Sequence, residues 1–297
     1  MKQLDSLRDH QRRLEQRLEG FTPRADEAES NARIEAIAGE AFAILGTGRQ
    51  VAPFSARYEG FDLGDAYAVA ARVQKLRAGR GERAIGRKVG FTNPDVQRAY
   101  GVNAPIWNFM FDKTVHDVAA ANGELSLSGL PEPLIEPEIA LHLAQAPRAG
   151  MSEEELLACV DWVAHGCEIV QSIFPGWKVT AADSIAAYGL HGAYLIGEKR
   201  MIDDRAAWAR ALASFTLELT GPGVKRQGRA ANVLGGPIKA LRHLVEVLAS
   251  SPESAPLTAG EIVTTGSLSD AMPVAPGEVW STRLEGVALP GLRVKFA

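Results

Sequence analysis

Residues 134 to 143 read LIEPEIALHL, a run too apolar for open solvent that nevertheless carries two carboxylates at alternate positions. In an extended strand, side chains two apart share a face and their Cα atoms sit roughly 6.5 Å apart. Glu136 and Glu138 would then aim at one point while Ile139, Leu141 and Leu143 fill the opposite side, which requires a sheet with one face turned to a core. Two anions that close repel. A hard divalent ion such as Mg2+ or Mn2+, which prefers oxygen ligands, would relieve them; the plainer alternative is a solvated acidic edge beside Pro137. A third acid, Glu168, sits in the apolar run CEIVQS, where a buried charge demands a partner. Three carboxylates from two strands, with positions left for water or substrate, make an open site of the catalytic kind. His142 shares the face of Glu138 and reads as a neighbouring or surface group rather than a ligand.

A second local pattern is AIGRKVGFT, residues 84 to 92. As a strand it sets Lys88 on the same face as Gly86 and Gly90, a long amine on a surface cleared of side chains where a ligand can reach the backbone. Beside a cation-bearing pocket, desolvation and like charge would disfavour the ammonium form and suit the lysine to proton transfer. The plain reading is a surface lysine in a glycine-rich edge strand. The overlapping GERAIGRK lacks the Lys-Ser/Thr ending of a phosphate-binding loop, and neither GxGxxG nor GxSxG occurs.

The rest of the chain supplies the frame. With 297 residues, 46% of them hydrophobic and 23% charged, it can bury a full core as one large domain or a domain with an appendage. A net charge of -4 with acids and bases interspersed gives no field for neutralising phosphates, so nucleic acid is not an expected partner. No run approaches the ~20 apolar residues of a membrane span and the N-terminus lacks a signal-peptide core, so the expected location is the cytoplasm. Cys159 and Cys167 would lie about 12 Å apart if one helix held both, too far to bridge, and read as buried thiols in a reducing compartment.

Leu4, Leu7, Leu14 and Leu18 form a heptad-like seam, either a helix that docks on a neighbour or a frayed tail. A helix is predicted through Ile34, Ile37, Ala41 and Ile44, stopping at Gly46, and another from Asp62 as cap through Tyr67, Val69 and Val73 toward Gly79. From Ala84 the texture becomes short alternating runs, with helices expected at 152 to 164, capped by Ser152, and at 237 to 249, opened by Pro237. IVTTGS, VWSTRLEG and LRVKF read as antiparallel strands with tight turns. The pattern is α+β, with an N-terminal helical region over 1–82 and a β-rich catalytic domain over 83–297.

The segments GRKVGFTNPDVQRAYGVNAPIWNFMFDK, IEPEIAL, EIVQSIFPGWK, LGGPIKAL and GEIVTTGSL occur in an order that resembles the 2-keto-4-pentenoate hydratase and oxalocrotonate decarboxylase family, within the fumarylacetoacetate-hydrolase superfamily, over roughly residues 62 to 297. The resemblance implies a mixed β-sheet roll of the fumarylacetoacetate-hydrolase C-terminal type with covering helices, assembled into homo-oligomers. It implies Mg2+ or Mn2+ held by Glu136, Glu138 and Glu168, Lys88 as acid/base with Asp112 as the acid a short distance on, and Thr265 and Gly266 bordering the substrate pocket. The implied activity is hydration of a 2-hydroxy-2,4-dienoate to a 4-hydroxy-2-oxo acid. Decarboxylation of an oxalocrotonate-type 2-oxo acid, C–C hydrolysis of an acylpyruvate, and an inactive assembly partner of a related enzyme are the alternatives. The chain departs from the family pattern at Ile173, Ala187, Tyr188 and Leu190, where polar residues are usual; these changes predict a more apolar pocket wall, and leave open whether Tyr188 or His191 takes over a lost polar function.

Overall fold

The computed structural model describes residues 25–251 and 254–297, so the leucine seam lies outside the described residues. Helices α1 (Ala25–Ile44) and α3 (Leu63–Gly79), with the single turn α2 (Phe54–Arg57) between them, form a helical layer. Asp62 caps α3 by accepting from the Asp65 N–H, as its place before an apolar periodic segment predicts. Ile34, Ile37, Ala38, Ala41 and Ile44 on α1 and Ala66, Val69 and Val73 on α3 are buried together, each large side chain contributing about 1.5–3 kcal/mol of hydrophobic stabilisation.

The β-rich body begins with β1 (Ala84–Gly90), α4 (Pro94–Ala99), β2 (Ile106–Phe111), β3 (Val115–Asp117), β4 (Glu124–Leu125) and β5 (Leu134–Leu143). Next come α5 (Glu153–Ala158), β6 (Val160–Val170), α6 (Ala181–Ala186), β7 (His191–Ile196), β8 (Arg200–Met201) and α7 (Arg205–Ser214). The chain closes with β9 (Thr216–Gly221), β10 (Val224–Arg229), α8 (Pro237–Ser250), β11 (Ile262–Thr264), β12 (Met272–Pro273), β13 (Val279–Glu285) and β14 (Arg293–Phe296).

Among the described residues these strands make a mixed sheet in the order β2-β1-β11-β5-β6-β7-β3, with β12 added to β5 and β8 to β6, and a second sheet β10-β9-β13-β14-β4. One face of the first sheet carries Ile139, Leu141, Leu143, Val163, Cys167, Ile169 and Val263, which enter the main core with Leu217 and Leu219 of β9, Trp280 of β13 and Leu241 and Leu244 of α8. The other face is left for the acids. The helical layer packs on α6, on Val170 at the end of β6 and on Ile173 and Phe174 just beyond it, with Phe54 and Phe174 edge to face at 5.3 Å. Asp183 on α6 latches the two parts: its buried carboxylate accepts from the Ser55 N–H and hydroxyl and from the Thr180 N–H and hydroxyl.

Two expectations need correction. The helix opened by Ser152 ends at Ala158, and residues 160–170 form the longest strand instead. The pairing of β6 with β5 along its whole length outweighs the local helical reading, so Cys159 and Cys167 sit on different elements, both as buried free thiols. The run IVTTGS pairs antiparallel with β5 but parallel with β1, because it inserts between them. No helix among the described residues is long and apolar enough to cross a membrane.

Candidate metal centre

Register brings the acids together. In the antiparallel pair β5–β6, Glu136 stands directly opposite Glu168, and Glu138, one pleat on, faces Gly166. Opposed residues project to the same side, so all three carboxylates enter one space. One oxygen from each lies within 4.8 Å of the others. Gly166 is required there because a Cβ would stand 2.2 Å from the hydroxyl of Tyr194, whose ring fills that space from β7. On the same sheet, Lys88 pairs with Thr264, and Thr264 with Ala140. The lysine therefore reaches the acids across β11.

Lys88 is buried, donates to the Gly189 carbonyl at 2.8 Å and stands 3.3 Å from Glu168 Oε2. Glu138 and Glu168 are wholly buried, while Glu136 is the member that solvent reaches. Burial pushes the Glu136 carboxyl up to about 7 against the pull of Lys88, and burial together with the charges of Glu168 and Glu136 pushes Glu138 well above the ordinary range. Burial acts on Glu168 in the same sense, but the Lys88 ammonium and the His191 hydrogen bond outweigh it and hold Glu168 low. Lys88 differs from the sequence expectation: burial lowers its pKa, yet Glu168, Glu136 and Glu138 together raise it above the ordinary value. The expectation assumed a cation beside the amine, whereas three carboxylates alone favour the ammonium.

The donor set fits a hard divalent ion. Glu138 is tied through Oε2 to the Gly266 N–H at 3.1 Å, leaving Oε1 buried without a hydrogen-bond partner, whereas Glu168 Oε2 makes no hydrogen bond but is met by the Lys88 ammonium at 3.3 Å. Orphaned buried carboxylate oxygens are costly unless another charge meets them. Oxygen-only donors suit Mg2+ or Mn2+ rather than softer metals. The neighbouring Cys167 projects to the opposite face into the core, and burial pushes its thiol far up.

Of the other predicted residues, Gly266 holds Glu138, and its φ of 88° together with a Cβ position only 2.2 Å from Thr92 Oγ1 admits no side chain. Thr265 is buried beside it with an unpartnered hydroxyl. Asp112 is not brought to the cluster. It follows the end of β2 where Phe111 meets Ala84, whereas Lys88 faces Asn108, and its carboxylate accepts from the Arg83 N–H at 3.0 Å. His142 lies away from the acids, bonded to Asp161 at 2.6 Å and stacked on Trp162. Ile173, Ala187, Tyr188 and Leu190 are buried in the core beneath the helical layer, so their apolar character serves that packing rather than an exposed pocket wall. A groove of about 430 Å³ lined by Leu157, Leu212, Ile238 and Lys239 contains none of these groups.

Residues without a local sequence signal complete the site. Asn108, opposite Lys88, donates to the Ile185 carbonyl at 2.8 Å. His165, on the core face of β6, bridges the two sheets, bonded to the Glu138 carbonyl at 2.9 Å and to Thr282 Oγ1 at 2.8 Å. Burial pushes His165 down to about 4. Between that value and its ordinary 6.5, the folded chain binds fewer protons than the unfolded one. This contribution to stability is therefore complete above 6.5 and lost as pH falls toward 4, about 3 kcal/mol in all. His165→Asn, which keeps a donor near the Glu138 carbonyl, is expected to be less stable at neutral pH but to lose less across that window. Urea melts at about pH 7 and about pH 4.5 check this; parallel losses in the two proteins would refute it.

Three clustered carboxylates, two of them wholly buried, and a buried lysine on one face of a mixed sheet make an arrangement of the class that suits an oxygen-ligated cation. No protein-family model matches the chain. It is 31% identical to 2-hydroxyhexa-2,4-dienoate hydratase of Comamonas testosteroni over 86% of this chain and 94% of that protein. It is 30% identical to 2-keto-4-pentenoate hydratase of Paraburkholderia xenovorans LB400 over 88% and 94%. The chain belongs to the 2-keto-4-pentenoate hydratase family. Its sheet roll with covering helices is also the fold of 4-oxalocrotonate decarboxylase from Pseudomonas putida G7, whose structure holds magnesium and adipate: TM-score 0.80 and 24% identity over 90% of this chain and 98% of that one.

Proposed function

We propose that the chain is a divalent-metal-dependent hydro-lyase that adds water to a 2-hydroxy-2,4-dienoate, giving a 4-hydroxy-2-oxo acid. The observation that carries this reading is the carboxylate trio with the Lys88 amine 3.3 Å from one of its members, in a chain whose relatives are named as hydratases of such dienoates. Glu136, Glu138 and Glu168 would hold Mg2+ or Mn2+, and when bound the cation supplies positive charge against the oxyanion that a 2-oxo acid headgroup develops. Lys88 Nζ moves the proton: the 2-hydroxyl of the dienol loses one, the terminal carbon gains one, and water adds at the carbon conjugated to the resulting ketone. The Gly189 carbonyl aims the amine during both transfers. Asp112, bonded to Arg83, is assigned a bracing role at the end of the β1–β2 ladder.

The test is turnover of 2-hydroxypenta-2,4-dienoate followed by its ultraviolet absorbance. Loss of the dienoate signal that requires Mg2+ or Mn2+, stops with EDTA and releases no carbon dioxide supports hydration. Carbon dioxide from an oxalocrotonate-type diacid, without dienoate hydration, would replace this reading with decarboxylation; inertness toward both, with no cation binding, would leave an assembly partner. We further propose that the enzyme works in the cytoplasm as a homo-oligomer, which light scattering on the purified protein reads directly.

A further inference from the structure

We propose that His191, backed by Thr114, is a positioning residue that ties down Glu168 Oε1 so that Glu168 Oε2 alone is offered to a divalent cation. The proposal rests on the reading of the three carboxylates as a cation site and assigns a role within it to a residue outside the trio.

The geometry begins with a backbone irregularity. Between β6 and β7, Glu168 faces Tyr194 and Ile169 faces Ala193, but Val170 faces His191 rather than Gly192. Gly192 is thus an extra residue in β7. A Cβ on it would stand 2.7 Å from the Ile169 carbonyl. In a regular strand, His191 would share the core-facing side of Ala193; the inserted residue turns it to the side of Glu168, the re-aiming that a bulge beside a site produces. His191 is wholly buried, with Nδ1 2.7 Å from Glu168 Oε1 and Nε2 2.9 Å from Thr114 Oγ1.

Proton accounting then sets the roles. Glu168, paired with Lys88, is a carboxylate and can only accept, so His191 Nδ1 carries the hydrogen and donates it. Nε2 is left as an acceptor 2.9 Å from the Thr114 hydroxyl, which shares its one proton between Nε2 and the Phe111 carbonyl at 3.1 Å, while Thr114 Oγ1 accepts from the Phe111 N–H at 3.3 Å. Every member is satisfied, and the chain of bonds ends on backbone. Glu168 consequently cannot swing to present both oxygens. Glu138 is treated the same way, with one oxygen on the Gly266 N–H and the other free. Both buried acids are held by a hydrogen bond at one oxygen, while the other makes none, Glu168 Oε2 facing only the Lys88 ammonium at 3.3 Å, which restricts each to a single-oxygen ligand. Partners that orient metal ligands in this way typically matter 10–100-fold in affinity.

The test uses the full-length protein stripped of metal and titrated with Mn2+ by calorimetry at fixed pH, with a thermal melt of each variant. His191→Leu is expected to weaken Mn2+ binding about 10–100-fold. His191→Asn, whose amide can donate from near the Nδ1 position, is expected to recover most of the loss, and Thr114→Val to show a smaller weakening. A general packing role would lower the melting temperature without this order in affinity. Unaltered Mn2+ affinity in His191→Leu, or equal losses in the Leu and Asn variants, overturns the proposal. Should His191→Leu fail to fold, Thr114→Val decides by itself, its unaltered affinity being the overturning result. Failure of the wild-type protein to bind Mn2+ would instead refute the cation site.

Discussion

Lys88→Met is expected to lower the hydration rate constant by about 10²–10⁴-fold, the range a positioned proton-transfer group contributes, while Mn2+ still binds. Methionine nearly matches the volume and unbranched shape of the lost side chain, so the strand and its Gly189 contact surface stay filled. The electrostatic consequence is separate from the chemical one. Lys88 is the cation that offsets Glu168, Glu136 and Glu138; without it, their folded-state proton affinity rises further. A folded state that binds more protons than the unfolded one loses stability as pH rises, so the metal-free variant should fall behind wild type increasingly above the Glu136 value of about 7. Added Mn2+ should narrow the difference. Stopped-flow dienoate decay and denaturant melts across pH measure the two effects independently. Wild-type turnover in the variant would remove the lysine from the reaction.

Glu138→Gln is expected to weaken Mn2+ binding by more than about 100-fold, beyond the loss typical of a group that merely orients a ligand. The glutamine oxygen can still accept from the Gly266 N–H, and the repulsion that Glu168 and Glu136 exert on this position disappears. The metal-free variant should therefore unfold no earlier than metal-free wild type. The contrast appears on adding the ion: a cation at about 100 times its dissociation constant stabilises the folded state by about 2.7 kcal/mol, and only wild type should show that rise. Equal Mn2+-induced shifts would mean that the ion binds elsewhere.

Much of this was legible because the informative residues are local. Glu136 and Glu138 declare a strand face by their spacing, and Lys88 between Gly86 and Gly90 declares a cleared one; both strands form as read. Caps at Asp62 and Ser152 mark true helix starts. The strand that follows this short helix is not legible locally because Trp162, Ala164, Gly166 and Glu168 on one side and Val163, His165, Cys167 and Ile169 on the other differ too little in polarity to display the two-residue alternation. Pairing with β5 decided the matter, and that partner is not visible in the segment itself. The parallel placement of β11 against β1 is likewise a property of long-range pairing. Asn108, Thr114, His165 and Tyr194 join the site through register, with no distinctive spacing to announce them, and Asp112 departs from it for the same reason.

Three successive residues, Tyr188, Gly189 and Leu190, hold left-handed backbone angles, with φ of 63°, 62° and 63°, a conformation unfavourable for the tyrosine and leucine. The Tyr188 hydroxyl donates to the Ala41 carbonyl on α1, the Leu190 carbonyl accepts from the Gln171 N–H at 2.8 Å, and the Gly189 carbonyl between them accepts from Lys88. The outer helix thus acts as a tie-rod on the turn whose carbonyl holds the Lys88 amine. Truncating or exchanging that helix would change how firmly the lysine is held, so the scaffold cannot be pared down to its strands without retuning the proton transfer proposed for it.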